Sequence, residues 1–385
     1  METKKGKIKW ERILLFIASA VLGGIVAYLS LASVRISVPA ERVEGMKIIT
    51  WLALVLSAYM ALYISVFIHE IGHLVFGLID GYKFVSLSVS NIMLVKENGK
   101  LKIKKFTLAG MGGQCLMSPP PFRNNTYPFM LYNLGGGLMN FIFCAIFAAF
   151  FLELKEIFPF SGVVFIPLIC VGLIFGGIIN LLPIKIGGPA TDGHNAVSLR
   201  KNKEARRALW LILTINSKIA SGERIKDFPA KWFEFPDDYD FSVTTLGNVA
   251  TMGLGRLIDC RDFVGAKALA EKILDKGGGL VELLKNETRC ELLFLEIIAN
   301  YPKGTDEIER LYTPELKEYI NASKTHLSKH RLMYAYEKLI SLDTSKAEIA
   351  LEAFHKTCRT FPYRSICEGE LELIGIVNEL ARAST

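Results

Sequence analysis

The stretch ISVFIHEIGHLVFGLI, residues 64–79, ends an apolar run that begins at Ile48. The run is longer than the roughly 20 residues that a helix needs to cross a bilayer. It carries three side chains that bear or gain charge near neutral pH, namely His69, Glu70 and His73. Such side chains are costly inside a membrane and commonly functional there. The stretch therefore predicts a membrane helix that carries a functional site.

The rest of the chain sets this helix in a membrane domain. Of the 385 residues, 51% are hydrophobic and 22% are charged, and most of the apolar excess lies in the first half. This composition excludes disordered, collagen-like and disulfide-scaffold proteins. We expect four transmembrane helices, in the apolar runs Ile13–Leu31, Ile48–Ile79, Tyr127–Leu152 and Ile157–Leu182. For the first run a signal peptide is the alternative, but its apolar stretch exceeds the 7–15 residues of a signal core, so we expect a retained helix.

Basic residues predict the orientation. The net charge is +7, and the clustered Lys and Arg residues flank the apolar runs rather than forming a nucleic-acid footprint. The cytosolic side of a membrane protein carries the excess of Lys and Arg. We therefore expect a multi-pass cell-membrane protein with both termini in the cytosol and no nucleic-acid partner. The seven cysteines form no CxxC pair, which favours reduced cysteines that pack in the protein interior.

The basic segment that follows residue 79 predicts a small β-hairpin. Phe84–Lys96 is rich in β-formers, Lys100–Lys104 alternates strictly, and Asn98-Gly99 between them is a strong hairpin signal. We expect one apolar and one basic face, at the cytosolic membrane surface, with an edge that could pair with an unwound substrate strand. A plain surface hairpin without a substrate role is the alternative.

The second half predicts a soluble, cytosolic helical domain. Helix-period apolar spacing recurs, with polar punctuation, in Phe263–Lys276, Asn286–Asn300, Thr305–Ser323, Leu332–Leu342 and Ser345–Phe361. Stacked, repeat-like helical hairpins are the expected arrangement, although no clean 34-residue period is visible. This domain could recruit a cytosolic protein, select substrates or mediate oligomerisation. The expected divisions are 1–47 (tail, first helix and external loop), 48–195 (membrane core with the hairpin) and 196–385 (helical domain). The fold class is thus mostly α.

His69-Glu70-Ile71-Gly72-His73 is an H-E-x-x-H motif. Two histidines four residues apart share one helix face and can hold one zinc ion, and the adjacent Glu70 can take a proton from zinc-bound water. His326 and His330 have the same spacing without the glutamate, on a polar segment, where a solvated helix face is the expected role.

A hydrolytic zinc ion usually has a third protein ligand and one open position. Asp192 is the candidate, because it follows Asn180 and the helix-breaking Pro183 at the end of the fourth run. Two alternatives stay open. Asp192 could merely cap a helix that begins near Asn195, or His194 could be the ligand instead.

These two elements together resemble the site-2 protease family of intramembrane zinc metalloproteases. That family pairs an H-E-x-x-H helix with a later Asn-x-x-Pro…Asp-Gly segment, here Asn180, Pro183 and Asp192-Gly193. The resemblance covers about residues 48–195. It implies that His69, His73 and Asp192 hold Zn²⁺ and that Glu70 is the general base. The interval Ile184–Thr191 is longer than in many members, so its residues must loop out for Asp192 to return to the zinc.

Two asparagines complete the predicted site. Family members often carry small residues and an asparagine in the third helix, here in Leu134–Asn140, and Asn140 could donate to the developing oxyanion. Asn180 has a similar implied role. The alternative for Asn140 is an interhelical contact without a part in catalysis.

The sequence thus predicts a zinc-dependent intramembrane endopeptidase that cleaves membrane-anchored proteins or peptides near the cytosolic face. By family analogy this is regulated intramembrane proteolysis, or signal-peptide or pheromone processing. The alternative is a catalytically silent member of the fold that acts as a membrane scaffold or maturation partner. A transporter is a weaker third possibility, since no inverted repeat is visible.

Overall fold

The computed structural model describes residues 20–33, 47–97, 99–106, 112–158, 160–184, 190–301, 306–323 and 325–383. Within them the chain is mostly helical, with one small sheet. The helices are α1 (Ala20–Ser33), α2 (Lys47–Ile79), α3 (Met130–Leu154), α4 (Ser161–Val171), α5 (Asp192–Lys201), α6 (Lys203–Ala220), α7 (Thr244–Asp259), α8 (Phe263–Lys276), α9 (Glu282–Asn300), α10 (Asp306–Leu311), α11 (Pro314–Ala322), α12 (Leu327–Ala335), α13 (Thr344–Thr360) and α14 (Arg364–Arg382). The strands are β1 (Lys83–Val89), β2 (Ile92–Glu97), β3 (Lys100–Lys105) and β4 (Gly113–Ser118).

The chain divides into two compact units, and the first comprises residues 1–77 and 129–196. In the part of this unit that the structure describes, three helices are long and apolar enough to cross a membrane: most of α2, then α3, and α4 with its continuation to Ile179. Their apolar side chains point largely outward, as Leu52 (67% exposed) and Val55 (66% exposed) illustrate. Apolar surface of this extent suits a lipid environment rather than water. The first unit is therefore consistent with a membrane protein.

The first predicted span is only partly described. Its visible portion is the apolar helix α1, and residues 13–19 lie outside the described residues, as do positions 34–46, which include the predicted external loop. Leu31 of α1 packs beside Leu54 of α2 and Val163 of α4. The expected number of four spans and the orientation of the termini remain predictions.

The fourth predicted span changes its helical geometry along its length. It begins at Ser161, contains Pro167, and becomes π-helical over Gly172–Ile179. Pro183 lies just beyond the helical residues, where its missing N–H costs no helix hydrogen bond. π-Helical turns are frequent at functional sites, and this one brings Gly176 against Asn140 of α3.

The second unit comprises residues 78–128 and 197–385 and contains the sheet. The strand order is β3-β2-β1-β4, antiparallel throughout. The predicted hairpin is β2–β3: Glu97 pairs with Lys100, and Gly99 has φ +79°, a conformation that favours glycine. Asn98 itself lies outside the described residues.

The predicted hairpin is part of a larger, four-stranded sheet. The β-prone stretch Phe84–Lys96 is two strands, because Ser90 adopts a left-handed φ of +57° and reverses the chain between them. The fourth strand, β4, pairs along the other side of β1. Its sequence, GQCLMS, lacks the alternation that identified β3, so no local pattern marked it.

Most helices of the second unit lie close to the predicted positions, but the predicted helix Leu332–Leu342 begins five residues earlier, as α12, and continues as a π-helix only to Ile340. α8 has the predicted bounds, and α9 and α13 differ from them by a few residues. The predicted helix Thr305–Ser323 is instead two helices, because Pro314 begins α11 at a position where a proline is favoured. A core that includes Phe294 and Phe354, both fully buried, joins these helices. The repeat-like arrangement remains a prediction.

Candidate metal site

The two motif histidines lie together on α2. Their Nε2 atoms are 3.1 Å apart, because a spacing of four residues places both rings on one face of the helix. His69 lies about 15 Å along the axis from the C-terminal end of α2, at 1.5 Å per residue. Both side chains are only 12% exposed, so the pair is largely shielded from the surroundings.

A backbone carbonyl fixes the ring of His73. Its Nδ1 lies 2.7 Å from the carbonyl oxygen of Tyr132 on α3, and a carbonyl oxygen can only accept a hydrogen bond. Nδ1 therefore carries the proton and donates it to Tyr132. The lone pair of Nε2 then faces the other predicted ligands, which is the tautomer that a metal ligand requires.

Glycines on α3 make room for the imidazoles. A β-carbon at Gly136 would lie 2.5 Å from two atoms of the His69 ring, much closer than real contacts allow. One turn along α2, Gly72 lies against Gly135, where a β-carbon would meet backbone on either side. Small residues of this kind let membrane helices approach closely. Glycines on both helices therefore allow α2 and α3 to approach closely.

Thr191 brings Asp192 to the site. Its hydroxyl donates to the carbonyl of Leu182 at 2.6 Å, and its backbone N–H donates to the carbonyl of Ile184 at 3.4 Å. These bonds close the long interval before Asp192, whose residues 185–189 lie outside the described residues.

Thr191 also replaces Asp192 in the capping role that the sequence left open. Helix α5 begins at Asp192, and the backbone N–H of His194 donates to the Thr191 hydroxyl at 3.3 Å. The Asp192 carboxylate is instead directed at the histidines.

The carboxylate of Asp192 completes a cluster of three. Its Oδ2 lies 3.0 Å from Nε2 of His69 and 3.5 Å from Nε2 of His73. In the part of the chain that the structure describes, these three residues are the one group of at least three potential ligands within metal-binding reach. His194, the other candidate, is not part of it.

The spacing fits a tetrahedral ion. Ligand atoms about 2.0–2.1 Å from one zinc ion lie about 3.3 Å from each other, close to the observed 3.0, 3.1 and 3.5 Å. Oδ2 of Asp192 is buried and makes no hydrogen bond of acceptable geometry, although two ring nitrogens lie within 3.5 Å of it. One carboxylate oxygen and two imidazole nitrogens that converge within 3.5 Å of one another are a donor set that suits a zinc ion. The residues present therefore fit a bound divalent cation.

The charge of Asp192 suits this role. Burial alone would raise the pKa of its carboxyl group, but the neighbouring imidazoles of His69 and His73 lower that pKa well below its ordinary value. The side chain is therefore a carboxylate at neutral pH, the form that binds metal ions.

Glu70 is buried in the same helix. Its side chain is 7% exposed, and it lies between the two ligands in sequence. A buried carboxylate is costly without a function or partner, and a general base beside a metal site is one such function.

The two predicted asparagines are placed differently. Asn140 is 1% exposed, and its Nδ2 lies 3.3 Å from Nδ1 of His69, while its Oδ1 accepts from the Ser65 hydroxyl at 3.2 Å. Asn140 is therefore a positioning contact for a ligand ring. Asn180 donates to the carbonyl of Phe175 in its own helix at 3.0 Å, and among the described residues no hydrogen bond joins it to the cluster.

Three residues of the site were not predicted from the sequence, namely Ser65, Tyr132 and Thr191, whereas Gly136 lies in the small-residue stretch Leu134–Asn140 that the sequence analysis singled out. Tyr132 acts through its backbone carbonyl, so it leaves no chemical signal in the sequence. Thr191 directly precedes Asp192-Gly193, where a capping threonine is a recognisable helix-start signal.

Comparison of the chain with protein-family models, with curated protein sequences and with solved structures finds no match in any of the three. The function proposed for this protein therefore rests on the geometry and chemistry of its own residues.

Proposed function

We propose that this protein is a zinc-dependent intramembrane endopeptidase of the site-2 type, which hydrolyses membrane-anchored proteins or peptides near the cytosolic face. One observation carries the proposal: His69, His73 and Asp192, the last 119 residues after His73 in sequence, converge on one point beside the buried Glu70. The order H-E-x-x-H followed by Asp-Gly supports the same reading. So does the location of the first two ligands in an apolar helix.

In this mechanism three side chains would hold the ion. His69 and His73 would bind through Nε2 and Asp192 through its carboxylate, which leaves a fourth tetrahedral position for water or substrate. When bound, zinc supplies Lewis-acid polarisation and makes water a nucleophile near neutral pH.

Glu70 would move the protons. Its carboxylate takes the proton of the attacking water and then donates it to the leaving amine. A substrate helix has its backbone hydrogen bonds satisfied internally, so the bond to be cut must first leave the helix. Asn140 keeps the His69 ring in place throughout these reaction steps.

The finer topology belongs to the same proposal. Four spans with both termini in the cytosol would place the end of α2 and the start of α5 at the cytosolic side. Water would then reach Glu70 from the cytosol. The soluble helices would lie on that side too, where they can meet a cytosolic partner.

The test compares the wild-type chain with Glu70→Gln, which keeps the shape but removes the base. We expect both proteins to bind about one zinc ion per chain. We expect the variant to cleave its substrate at least about 100-fold more slowly, so that a membrane-anchored precursor accumulates in comparative membrane proteomics. Glu153→Gln, which changes an exposed glutamate near the end of α3, is the matched control and should behave as the wild type.

A membrane proteome that is identical in the wild type and in Glu70→Gln would contradict the proposal. With zinc still bound, that outcome would favour the catalytically silent scaffold.

A further inference from the structure

The second unit contains a large basic cleft that the proposed chemistry does not use. It lies between the sheet and the ends of helices α6, α13 and α14, and its volume is about 1320 Å³. Seven of the side chains that line it are lysine or arginine, and one, Glu368, is acidic. A cleft lined by one sign of charge concentrates the opposite charge.

Contacts within the unit hold the two walls of the cleft together. Lys104 of β3 donates to the carbonyl of Pro362 at 3.1 Å, and the Phe106 ring meets the Phe361 ring edge-on at 5.3 Å. Just after β4, the carbonyl of Pro120 accepts a hydrogen bond from the indole N–H of Trp210 on α6 at 2.8 Å. The cleft is therefore a fixed feature of this unit.

Much of its positive charge is not neutralised from within the protein. Lys218 pairs with Glu223 at 2.9 Å, and Arg364 pairs with Glu368. By contrast, Lys83, Lys96 and Arg359 are exposed and form no ion pair with any residue that the structure describes. These three side chains are available to an anionic ligand.

The volume of the cleft and its apolar lining residues indicate which kind of anion would fit it. The volume exceeds the 300–1,000 Å³ of ordinary small-molecule pockets, so a single small anion would leave most of the cleft empty. Phe84, Val85, Ile219 and Leu371 add apolar surface between the charges. A polypeptide offers both apolar and acidic groups, whereas a phosphate headgroup offers only charge.

The spacing of the lysines on β3 matches an extended chain. Lys102 and Lys104 both line the cleft, and alternate residues of a strand lie about 7 Å apart. Alternate side chains of an extended peptide have the same separation. Acidic residues at every second position could therefore meet successive lysines.

We infer that this cleft is a docking site for an extended, acidic polypeptide segment of a partner protein. Under the proposed function that segment is the cytosolic part of the membrane-anchored substrate, and this last step rests on the proposed function. The cleft would then select substrates by charge, at a site separate from the one that cuts them.

The test measures binding of a fluorescein-labelled peptide of alternating glutamate and threonine to the full-length Glu70→Gln chain in neutral detergent. The reference peptide has glutamine in place of each glutamate. We expect the acidic peptide to bind and the reference peptide not to, with an affinity that falls steeply as salt is added. Charge reversal in Lys83→Glu/Arg359→Glu should weaken binding by about tenfold.

The matched control is Lys105→Glu/Lys203→Glu, which changes the net charge equally. Both lysines are exposed and lie outside the cleft lining, and Lys105 is on the same strand as Lys104. The control should bind the acidic peptide as well as its parent does. Equal binding of both peptides, or equal weakening by both pairs of substitutions, would overturn the inference.

Two further probes test whether the cleft prefers a phosphate-rich ligand to an acidic polypeptide. Inositol hexakisphosphate and a single-stranded oligonucleotide are titrated against the same proteins. If either binds more tightly than the peptide and is weakened by the same reversal pair, the cleft is a phosphate site and the inference fails. Because the assay needs neither metal nor cleavage, its outcome is independent of the proposed function, and zinc content is independent of peptide binding.

Discussion

Two pairs of histidines in this chain share a spacing of four residues and have different surroundings. His69 and His73 lie within α2, with their Nε2 atoms 3.1 Å apart and a carboxylate beside both. His326 lies just before α12 begins, 3.9 Å from Glu287, whereas His330 contacts the hydroxyl of Thr357 at 3.2 Å. The second pair therefore does not converge on a shared ligand point.

The comparison shows which conditions two histidines four residues apart must meet in order to form a metal site. Both histidines must lie inside one helix, a second group must fix each ring, and a further ligand must arrive from elsewhere in the chain. The first pair has Tyr132, Asn140 and Asp192 for these purposes. The second pair was expected on a solvated helix face, but it instead makes structural contacts within the helical domain.

The largest expected effect comes from removing each pair in turn. His69→Ala/His73→Ala should abolish zinc binding and cleavage, because two of three protein ligands are lost. His326→Ala/His330→Ala should keep about one zinc ion per chain and lower the unfolding free energy of the helical domain by about 1 kcal/mol. Elemental analysis and thermal unfolding of the purified proteins measure both quantities. Loss of zinc from His326→Ala/His330→Ala would contradict the assignment of the metal site to His69 and His73.

A smaller effect is expected from Gly136→Ala. The added methyl group would enter the space of the His69 ring and turn it away from the metal, so zinc affinity should fall by about 100-fold. Chelator competition measures the affinity. Gly24→Ala is the matched control, because a β-carbon there would meet no atom within 4 Å. Equal affinities of the two variants would show that Gly136 has no role at the site.

Substitutions at Asn140 test what orients the His69 ring. When Nε2 of His69 faces a metal ion, Nδ1 carries the proton and needs an acceptor. An amide can offer its oxygen there by exchanging the positions of its oxygen and nitrogen, which gives up the bond from Nδ2 to the Gly136 carbonyl, and an aspartate can offer either oxygen. Asn140→Leu should therefore lower zinc affinity by about tenfold, while Asn140→Asp should keep it within a few-fold of the wild type. Equal losses in both variants would assign Asn140 a packing role only.

The smallest effect is expected at Thr191. Thr191→Ala removes the cap of α5 and the hydroxyl bond to Leu182, so Asp192 is held less firmly. The loss of a cap is typically about 1 kcal/mol, which corresponds to a decrease of roughly fivefold in zinc affinity. Thr191→Ser keeps the hydroxyl group and should bind zinc as the wild type does. An unchanged affinity in the alanine variant would show that the loop does not depend on this closure.

The sequence predicted the parts of this molecule that depend on local pattern. The apolar run of α2, the hairpin across Gly99 and the bounds of α8 follow from composition, turn chemistry and helix period. Asp192 was predicted from its order after Pro183. In each case the signal lies within a short stretch of residues.

The missed features depend on contacts between distant segments. The carbonyl of Tyr132 reaches His73 only because Gly72 and Gly135 let two helices meet closely. Strand β4 is defined by its pairing with β1 rather than by its own alternation. Such features are set by tertiary packing, which a single sequence does not display.

The most direct test of the metal site is X-ray absorption spectroscopy at the zinc edge on the full-length protein. We predict about one zinc ion per chain, with two imidazole ligands, oxygen ligands and no sulfur, all at about 2.0–2.2 Å. In Asp192→Asn the zinc should be bound much more weakly, and the remaining signal should lose oxygen contribution. A wild-type protein without zinc, or with sulfur ligands at about 2.3 Å, would contradict the account.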